Sequence, residues 1–383
     1  MRNNRGFTLI ELVIAMALFI VVIMISASAF ESILKTSGRL ISSEESNIEG
    51  VVGLEMFRHD LMQMGFGLPA SFLITPTYSE AAAGPDGLND SPSGVPRPVV
   101  SRENYSAYGD YLAVKGSSVG NNAAAQKWTY MRYSSTTAKA RVWPRGDENL
   151  DTEHDRVVIL DRSFSKDGKM ASTMVNATED DWKGYLPNSV SPVDKTQIYY
   201  IYGVNKNNDL RMPFNRADYY VKRPVQASSV PAWCASNVGI LYKGTVNHSD
   251  GQFTENPLVD CVADMQVVFG WDVAGTGVID ESSAYDSDAA KISVSGTATP
   301  AEIKAIMENP DEVRSRLKYV KIYIMAQDGP KDLNFTNSSK IVVGDVESLV
   351  SSYTVAALTA KGWLNYRWKI YRLVVRPKNL TGN

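Results

Sequence analysis

The sequence predicts an α+β protein in which one long N-terminal helix packs on an antiparallel β-sheet that carries large loop insertions. Two observations predict this class. Residues 1–68 contain no proline, and their apolar residues recur every three or four positions, which is the spacing of a helix face. Beyond residue 100, short β-branched and aromatic runs are separated by turn residues, without the strand–helix alternation of a parallel sheet.

Length and composition exclude several classes of protein. A chain of 383 residues predicts two or three structural units. With 44% hydrophobic and 21% charged residues, it is not a disordered chain, a collagen or a polytopic membrane protein. The net charge of −3 gives no overall basic field, so we expect no nucleic-acid partner. Three His and two Cys are too few for a zinc finger or an iron–sulfur cluster.

The first half of the predicted helix has the composition of a membrane span. Phe7 to Phe30 is almost wholly apolar, and Leu12 to Ile25 is an unbroken apolar run of 14 residues. About 20 helical residues cross the hydrocarbon layer of a bilayer, so residues 7–27 are long enough. The cations Arg2 and Arg5 predict that the N-terminus stays on the cytoplasmic side.

Two interpretations of this segment compete. It has the cationic start and the apolar region of a secretory signal peptide, with Ala27-Ser28-Ala29 as a cleavage site. Alternatively, it is an anchor that the mature protein keeps. Glu11 favours the anchor, because a carboxylate in an apolar span costs about 2.5–3.5 kcal/mol and a disposable signal has no use for it. The helical pattern also continues past this site to Met64, where Gly65, Gly67 and Pro69 predict its end.

The residues around Glu11 resemble a known signal. Gly6-Phe7-Thr8-Leu9-Ile10-Glu11-Leu12 is similar to the type III signal sequence of type IV pilins and type II secretion pseudopilins. The resemblance implies that a prepilin peptidase cuts after Gly6 and methylates the new N-terminal amine of Phe7. It also implies that Glu11 neutralises the N-terminal amine of a neighbouring subunit in the filament.

Weaker resemblances point to a subtype. Residues 57–65 resemble the helix end of PilW-like minor pilins, and residues 257–267 and 317–322 resemble later strands of that group. The length of the chain and the proline-free helix fit a large minor pilin, or in second place a J-type pseudopilin, better than a major pilin.

The resemblance implies a division of the chain and a set of partners. Residues 1–6 would be the cleaved leader, 7–30 the transmembrane and filament-core half of the helix, 31–66 its amphipathic half, and 67–383 a β-rich periplasmic or extracellular domain. The chain would wait in the inner membrane as a single-pass protein before it joins a pilus. Its partners would be membrane lipid, prepilin peptidase, other major and minor pilins, and the inner-membrane assembly platform.

Three alternatives to a minor pilin stay open at this point. The first is a minor pseudopilin of a type II secretion system, which would assemble through the same helix packing and charge pairing but with different partners. The second is a pilus-tip adhesin that binds a surface or receptor through residues 69–310. The third is a membrane-anchored periplasmic enzyme, which the lack of a recognisable site disfavours. We therefore expect no enzyme activity and no cofactor.

Within the domain, residues 69–100 are rich in Pro, Gly and Ser and predict a long surface loop. Thr299 and Glu302 form a capping-box pattern that predicts a short helix over Pro300–Glu308. The alternation in Leu317–Ala326 predicts a half-buried antiparallel strand. Eight further strands are predicted at 111–115, 128–133, 156–160, 198–204, 218–221, 239–243, 265–272 and 366–375. The C-terminal aromatic residues, Trp363 to Tyr371, are predicted to pack against the long helix.

Cys234 and Cys261 are the only thiols and lie 27 positions apart. In an exported domain an even cysteine count predicts a disulfide. The alternative is two separate buried thiols. No motif around either residue supports a catalytic Cys–His pair.

Asp272 begins a segment that partly matches a calcium loop. An EF-hand loop takes oxygen ligands at positions 1, 3, 5, 7, 9 and 12, with Gly at position 6. Asp272, Thr276 and Asp280 fit this pattern, whereas Ala274 at position 3 and Ser283 at position 12 do not. We therefore interpret the segment as a glycine-rich hairpin turn, expect no metal, and keep these three residues only as a weak candidate site.

Each histidine has an aspartate within two positions, in the pairs His59-Asp60, His154-Asp155 and His248-Ser-Asp250. A catalytic triad also needs a nucleophile, and no nucleophile motif accompanies these pairs. The glycine-rich stretches lack the Gly-Lys-Ser/Thr of a phosphate-binding loop. These observations favour a role in assembly over catalysis.

Overall fold

The computed structural model describes residues 9–136, 138–164, 170–176, 190–206, 209–224, 230–286 and 292–380, without side chains at 28–29, 31–49, 163–164 and 170–171. The first element is one uninterrupted helix, α1 (Leu9–Gln63), of 55 residues. At 1.5 Å per residue it is about 83 Å long. It ends where the sequence predicts, because Gly65 and Gly67 adopt φ values of +78° and +63°.

Sixteen strands and three short α-helices follow α1 in the described part of the chain. The strands are β1 (Ser71–Phe72), β2 (Val99–Ser106), β3 (Gly109–Gly116), β4 (Trp128–Arg132), β5 (Asp155–Phe164), β6 (Met170–Met174), β7 (Ile198–Lys206), β8 (Asn215–Lys222), β9 (Gly239–Val246), β10 (Phe253–Trp271), β11 (Glu281–Ala284), β12 (Ser293–Val294), β13 (Leu317–Gln327), β14 (Ile341–Val342), β15 (Ser352–Tyr353) and β16 (Trp368–Val375). The helices are α2 (Pro300–Glu308), α3 (Pro310–Arg316) and α4 (Val355–Ala360).

The strands form two main sheets and a small β14–β15 ribbon. The smaller sheet has five strands in the order β1-β6-β5-β7-β4. The larger sheet has nine, with β12-β11-β10-β9-β8-β3-β2 as its path and with β13 between β10 and β16. Pairing is antiparallel throughout, except for β1 with β6 and a single bridge between β10 and β3. The predicted α+β class with a long N-terminal helix is confirmed, and all nine predicted strands and the predicted helix are present. The Thr299–Glu302 capping box that starts α2 is formed as predicted.

Strand β13 is buried on both faces, so the prediction of a half-buried strand is wrong. Its even positions, such as Ile322 and Ile324, join the core beneath α1, whereas Tyr323 and Met325 join a second core on the opposite face. Because β13 also pairs with β10 on one side and β16 on the other, it is an interior strand of the sheet.

The C-terminal aromatic residues pack on the face of the larger sheet that points away from α1. Trp363 is 1% exposed and belongs with Tyr323 to the core on that far face, and Trp368 packs against the same core. Only Tyr371 turns toward the helix, close to Gly50. The prediction that this group packs on α1 is therefore wrong for the tryptophans, because a second layer of loops and α4 covers the far face.

Residues 73–98 form a loop as predicted, but several of its side chains are buried, which the prediction of a surface loop missed. Tyr78, Glu80 and Leu88 are at most 3% exposed, and β2 begins at Val99. Glu80 accepts ion pairs from Lys115 (2.7 Å) and from Arg216 (3.0 Å), both buried on the larger sheet. The segment is thus pinned to the sheet by buried charges, which a composition rich in Pro and Gly does not reveal.

The same network contains a second carboxylate from the segment. Asp90 binds Lys115 (2.5 Å) and Arg97 (2.6 Å). Burial by itself would raise the pKa of Asp90, but the two cations outweigh it and lower the pKa. Asp90 is therefore charged and paired, as a buried charge must be.

Candidate assembly site on the N-terminal helix

The first half of α1 projects away from the sheets and presents an apolar surface. Leu9–Ala27 has a mean hydropathy of 2.9 and is 0% buried within the chain. By length and composition this stretch can cross a membrane. Within a single copy of the protein its apolar side chains make no core, so lipid or other helices must cover them.

Glu11 lies in the first turn of α1 as the single charged residue of this stretch. Its side chain is exposed at the surface of the helix. Gly6 and Phe7, the predicted processing site, lie outside the described residues. The structure thus places Glu11 near the start of the apolar half, within a few residues of the predicted mature N-terminus.

The last turns of α1 are attached to the larger sheet. Phe57, Leu61 and Met64 are fully buried, and the ring of Phe57 stacks on Tyr219 of β8 with a centroid separation of 3.8 Å. The backbone approaches so closely that a Cβ on Gly53 would lie 2.4 Å from the carbonyl oxygen of Leu258. Only glycine permits this approach.

A buried ion pair reinforces this attachment. Asp60 is 4% exposed, and its Oδ2 lies 2.6 Å from Nζ of Lys243 on β9. The same oxygen accepts a hydrogen bond of 2.6 Å from the hydroxyl of Tyr219. Burial, followed by the nearby Asp60 charge, raises the pKa of Tyr219 well above its usual value, so this hydroxyl stays a donor. Sequence reasoning missed the pair, because Asp60 and Lys243 are far apart in the chain.

One part of the predicted apolar stripe does not face the sheet. Val51, Val52 and Met56 are between 42% and 60% exposed. They line one wall of a groove of about 790 Å³ whose other wall is the loop at 118–126. From residue 50 onward, α1 therefore has apolar side chains on two faces, and only one of them is covered within a single chain.

The three histidines do not form catalytic groups with the aspartates beside them. His59 lies 3.5 Å from Asp60, a hydrogen bond that raises the pKa of His59, but that carboxylate is already held by Lys243 and Tyr219. His154 bonds Asp151 rather than Asp155. Burial lowers the pKa of His248 to about 4, and its ring bonds the amide of Arg211 and the side chain of Asn215.

The Asp272 segment forms the β10–β11 hairpin turn. Its two carboxylates close the turn themselves. Asp272 accepts the backbone N–H groups of Thr276 (2.8 Å) and Gly277 (2.7 Å), and Asp280 accepts those of Val273 (2.7 Å) and Ala274 (2.8 Å). In the described part of the chain, no three His, Cys, Asp or Glu side chains are grouped as metal ligands. The hairpin interpretation is confirmed, and the weak metal candidate gains no support.

Cys234 and Cys261 are joined by a disulfide with a Cα–Cα distance of 5.3 Å. The bond ties the loop before β9 to the middle of β10. It lies in the core on the far face of the larger sheet, beside Trp363 and Tyr323. It therefore crosslinks the second layer to the central strand.

We expect the Cys234→Ser/Cys261→Ser double variant to lower the free energy of unfolding by about 3.5 kcal/mol, because the bond closes a loop of 27 residues. Peptide mapping without reductant should find the bond in wild-type protein, and urea titration should measure the loss. Leader cleavage should be unchanged, since the bond lies on the face of the larger sheet that points away from α1. Two free thiols in the mature wild-type protein would contradict the prediction.

Comparison with known proteins supports the N-terminal segment alone. No curated protein and no solved structure matches the chain. A family model described as the prokaryotic N-terminal methylation motif matches residues 1–27. This range contains Gly6, Phe7, Glu11 and the whole exposed apolar stretch of α1. This motif supports a type IV pilin or pseudopilin, and its match is confined to the N-terminal segment.

Proposed function

We propose that this protein is a minor type IV pilin of the PilW-like kind, which waits in the inner membrane and is then packed into a pilus or its initiating complex. One observation carries the proposal. A 55-residue helix combines an uncovered apolar half containing one carboxylate with a second half anchored in a large β domain. This arrangement suits a subunit whose helix leaves lipid and packs among other helices.

The charge of Glu11 sets the axial position of the subunit in such packing. In the filament its carboxylate would face the cationic N-terminal amine of a neighbouring subunit, inside an apolar core. An unpaired charge there is costly, so subunits are driven to the axial position at which the pair forms. The attachment of α1 through Asp60 and Phe57 then transmits that position to the β domain.

We propose further that the protein acts by assembly and not by catalysis. The histidines and buried carboxylates described above serve the packing of the domain. The domain of more than 300 residues would suit an end or specialised position better than a repeating shaft position, because a shaft subunit must pack its domain against many identical neighbours.

To test this proposal, pili are sheared from cells that carry their own prepilin peptidase, and the mass of the mature chain is measured. We expect recovery of the protein with a methylated Phe7 as its first residue. A Gly6→Leu variant should remain as uncut precursor in the membrane, because glycine allows a close approach of extended backbone in the protease site.

Two outcomes would overturn the proposal. A mature chain that starts at Phe30 would show that Ala27-Ser28-Ala29 is cut by signal peptidase. Recovery of the processed chain with secretion pseudopilins, and not in pili, would assign it to a secretion pseudopilus.

A further inference from the structure

The outer face of the smaller sheet carries an unusual group of rings at its β4 edge. Successive side chains of a strand point to opposite faces, so Trp128, Tyr130 and Arg132 share one face of β4. Tyr130 pairs across the strands with Tyr200 of β7. We call the rings of Trp128, Tyr130, Trp143 and Tyr200, together with Arg132 and Arg141, the aromatic platform.

Residues 140–143 run beside β4 and complete the platform. The amide of Arg141 donates to the carbonyl of Tyr130, and Ala140 forms a bridge with Met131. The rings are in mutual contact, with Trp143 5.4 Å from Trp128 and 6.2 Å from Tyr130 between centroids. Trp128 is 37% exposed. The platform is thus a connected set of aromatic surfaces that solvent reaches.

The geometry of the platform is held by hydrogen bonds. The indole N–H of Trp143 donates to the carbonyl of Trp128 at 2.8 Å, and the amide of Trp143 donates to the side chain of Asn149 at 2.7 Å. The hydroxyl of Thr129, on the buried face of β4, donates to the carbonyl of Arg141 at 2.6 Å. A ligand would meet rings that are already in place, which lowers the entropy cost of binding.

The guanidinium groups on the platform are placed by the rings and not by acids. Arg141 lies 4.9 Å from the Trp143 ring and donates to the hydroxyl of Tyr130 at 2.6 Å, and Arg132 lies 5.2 Å from the ring of Tyr130. Within the described residues, no carboxylate lies within 4 Å of Arg132 or Arg141. The nearby Arg145, by contrast, is paired with Asp147 and Glu148.

We propose that the aromatic platform binds an acidic polysaccharide. The C–H face of a pyranose ring carries partial positive charge and fits the negative face of an aromatic ring. The planar guanidinium groups of Arg132 and Arg141 can each donate two parallel hydrogen bonds to one carboxylate. Alternating sugar rings and carboxylates supply both features in one ligand, and the platform offers both side by side.

Other anionic partners fit less well. Nucleic-acid binding depends on many phosphate contacts, and the chain has a net charge of −3. A stable protein partner needs roughly 800 Å² on each side with a well-packed apolar centre. The rings of the platform alternate with guanidinium groups, so its centre is not a continuous apolar surface. This inference goes beyond the proposed function and does not depend on pilus assembly.

The test uses the detergent-solubilised full chain and four immobilised polymers, which are alginate, neutral dextran, poly-glutamate and single-stranded DNA. Alginate should bind at least about tenfold more tightly than the other three, and its binding should weaken as salt rises. Trp128→Ala and Arg141→Gln should each weaken alginate binding about tenfold, as interface residues of these types do.

Arg145→Gln is the matched control, because Arg145 is a neighbouring exposed arginine that is already paired, and its affinity for alginate should be unchanged. Trp128 and Arg141 are both at least partly exposed. An unchanged unfolding midpoint would show that the Trp128→Ala and Arg141→Gln variants are folded. Wild-type affinity in both folded variants would overturn the proposal. So would equal binding to poly-glutamate, which would indicate an acidic protein partner, or tighter binding to DNA.

Discussion

Glu11→Gln should be depleted from sheared pili by at least a hundredfold while it is cleaved normally and stays abundant in the inner membrane. In the bilayer the carboxylate is a burden, so its removal makes insertion easier. In the filament its removal leaves the N-terminal amine of a neighbouring subunit buried and unpaired, which costs about 3–5 kcal/mol. Each 1.4 kcal/mol corresponds to about a factor of ten in incorporation.

Glu55→Gln is the control for this experiment. Glu55 lies on the same helix, but its side chain is 63% exposed and pairs with Arg58 at the surface. Because such exposed pairs contribute little, this variant should be incorporated like the wild type. Quantitative mass spectrometry of pilus and membrane fractions measures both. Normal incorporation of Glu11→Gln would contradict the proposal that Glu11 sets the axial position of the subunit. Poor membrane insertion would show that Glu11 has a different role.

Asp60→Ala should destabilise the β domain by about 3–5 kcal/mol, because it leaves Lys243 as an unpaired charge that is only 3% exposed. It also removes the acceptor of the Tyr219 hydroxyl. The seven tryptophans all lie beyond residue 127, so their fluorescence during urea unfolding reports on the domain and not on the apolar half of α1. The shift of the urea midpoint is the measurement.

The double variant Asp60→Leu/Lys243→Met separates the ion pair from simple packing. Replacing both charges with apolar side chains leaves no unpaired charge, so the double variant should recover most of the lost stability except the part that belongs to the Tyr219 hydrogen bond. Glu55→Ala, which breaks the exposed pair with Arg58, should change stability by no more than about 0.5 kcal/mol. A double variant as unstable as Asp60→Ala would show that the charge pair is not what anchors the helix.

Local patterns in the sequence were sufficient to predict several elements of secondary structure. The helix α1 ends at Gly65 and Gly67 because a glycine-rich stop is a local signal, and α2 begins at Thr299 because a capping box joins residues three positions apart. Strands such as β3 and β7 follow from short runs of β-branched and aromatic residues. The motif at 6–12 likewise needs no tertiary information to be recognised.

Burial was harder to predict than secondary structure. In β13 the alternation of residues indicates two different faces, but it does not show that both are covered, because the second layer comes from α4 and loops remote in the chain. The segment at 69–100 has the composition of a surface loop and is nevertheless drawn inward by Glu80 and Asp90, whose cations Lys115 and Arg216 lie on distant strands.

The sequence by itself therefore determined the long helix, its apolar half with Glu11, and the N-terminal methylation motif at residues 1–27. The tertiary structure alone decided how α1 is attached through Asp60, Lys243 and Tyr219, and which rings and arginines meet on the aromatic platform. The physical reason is range. Helix periodicity, caps and cleavage motifs act between neighbours in the chain, whereas a buried charge or an exposed ring acquires its partners only when strands far apart in sequence pair in the fold.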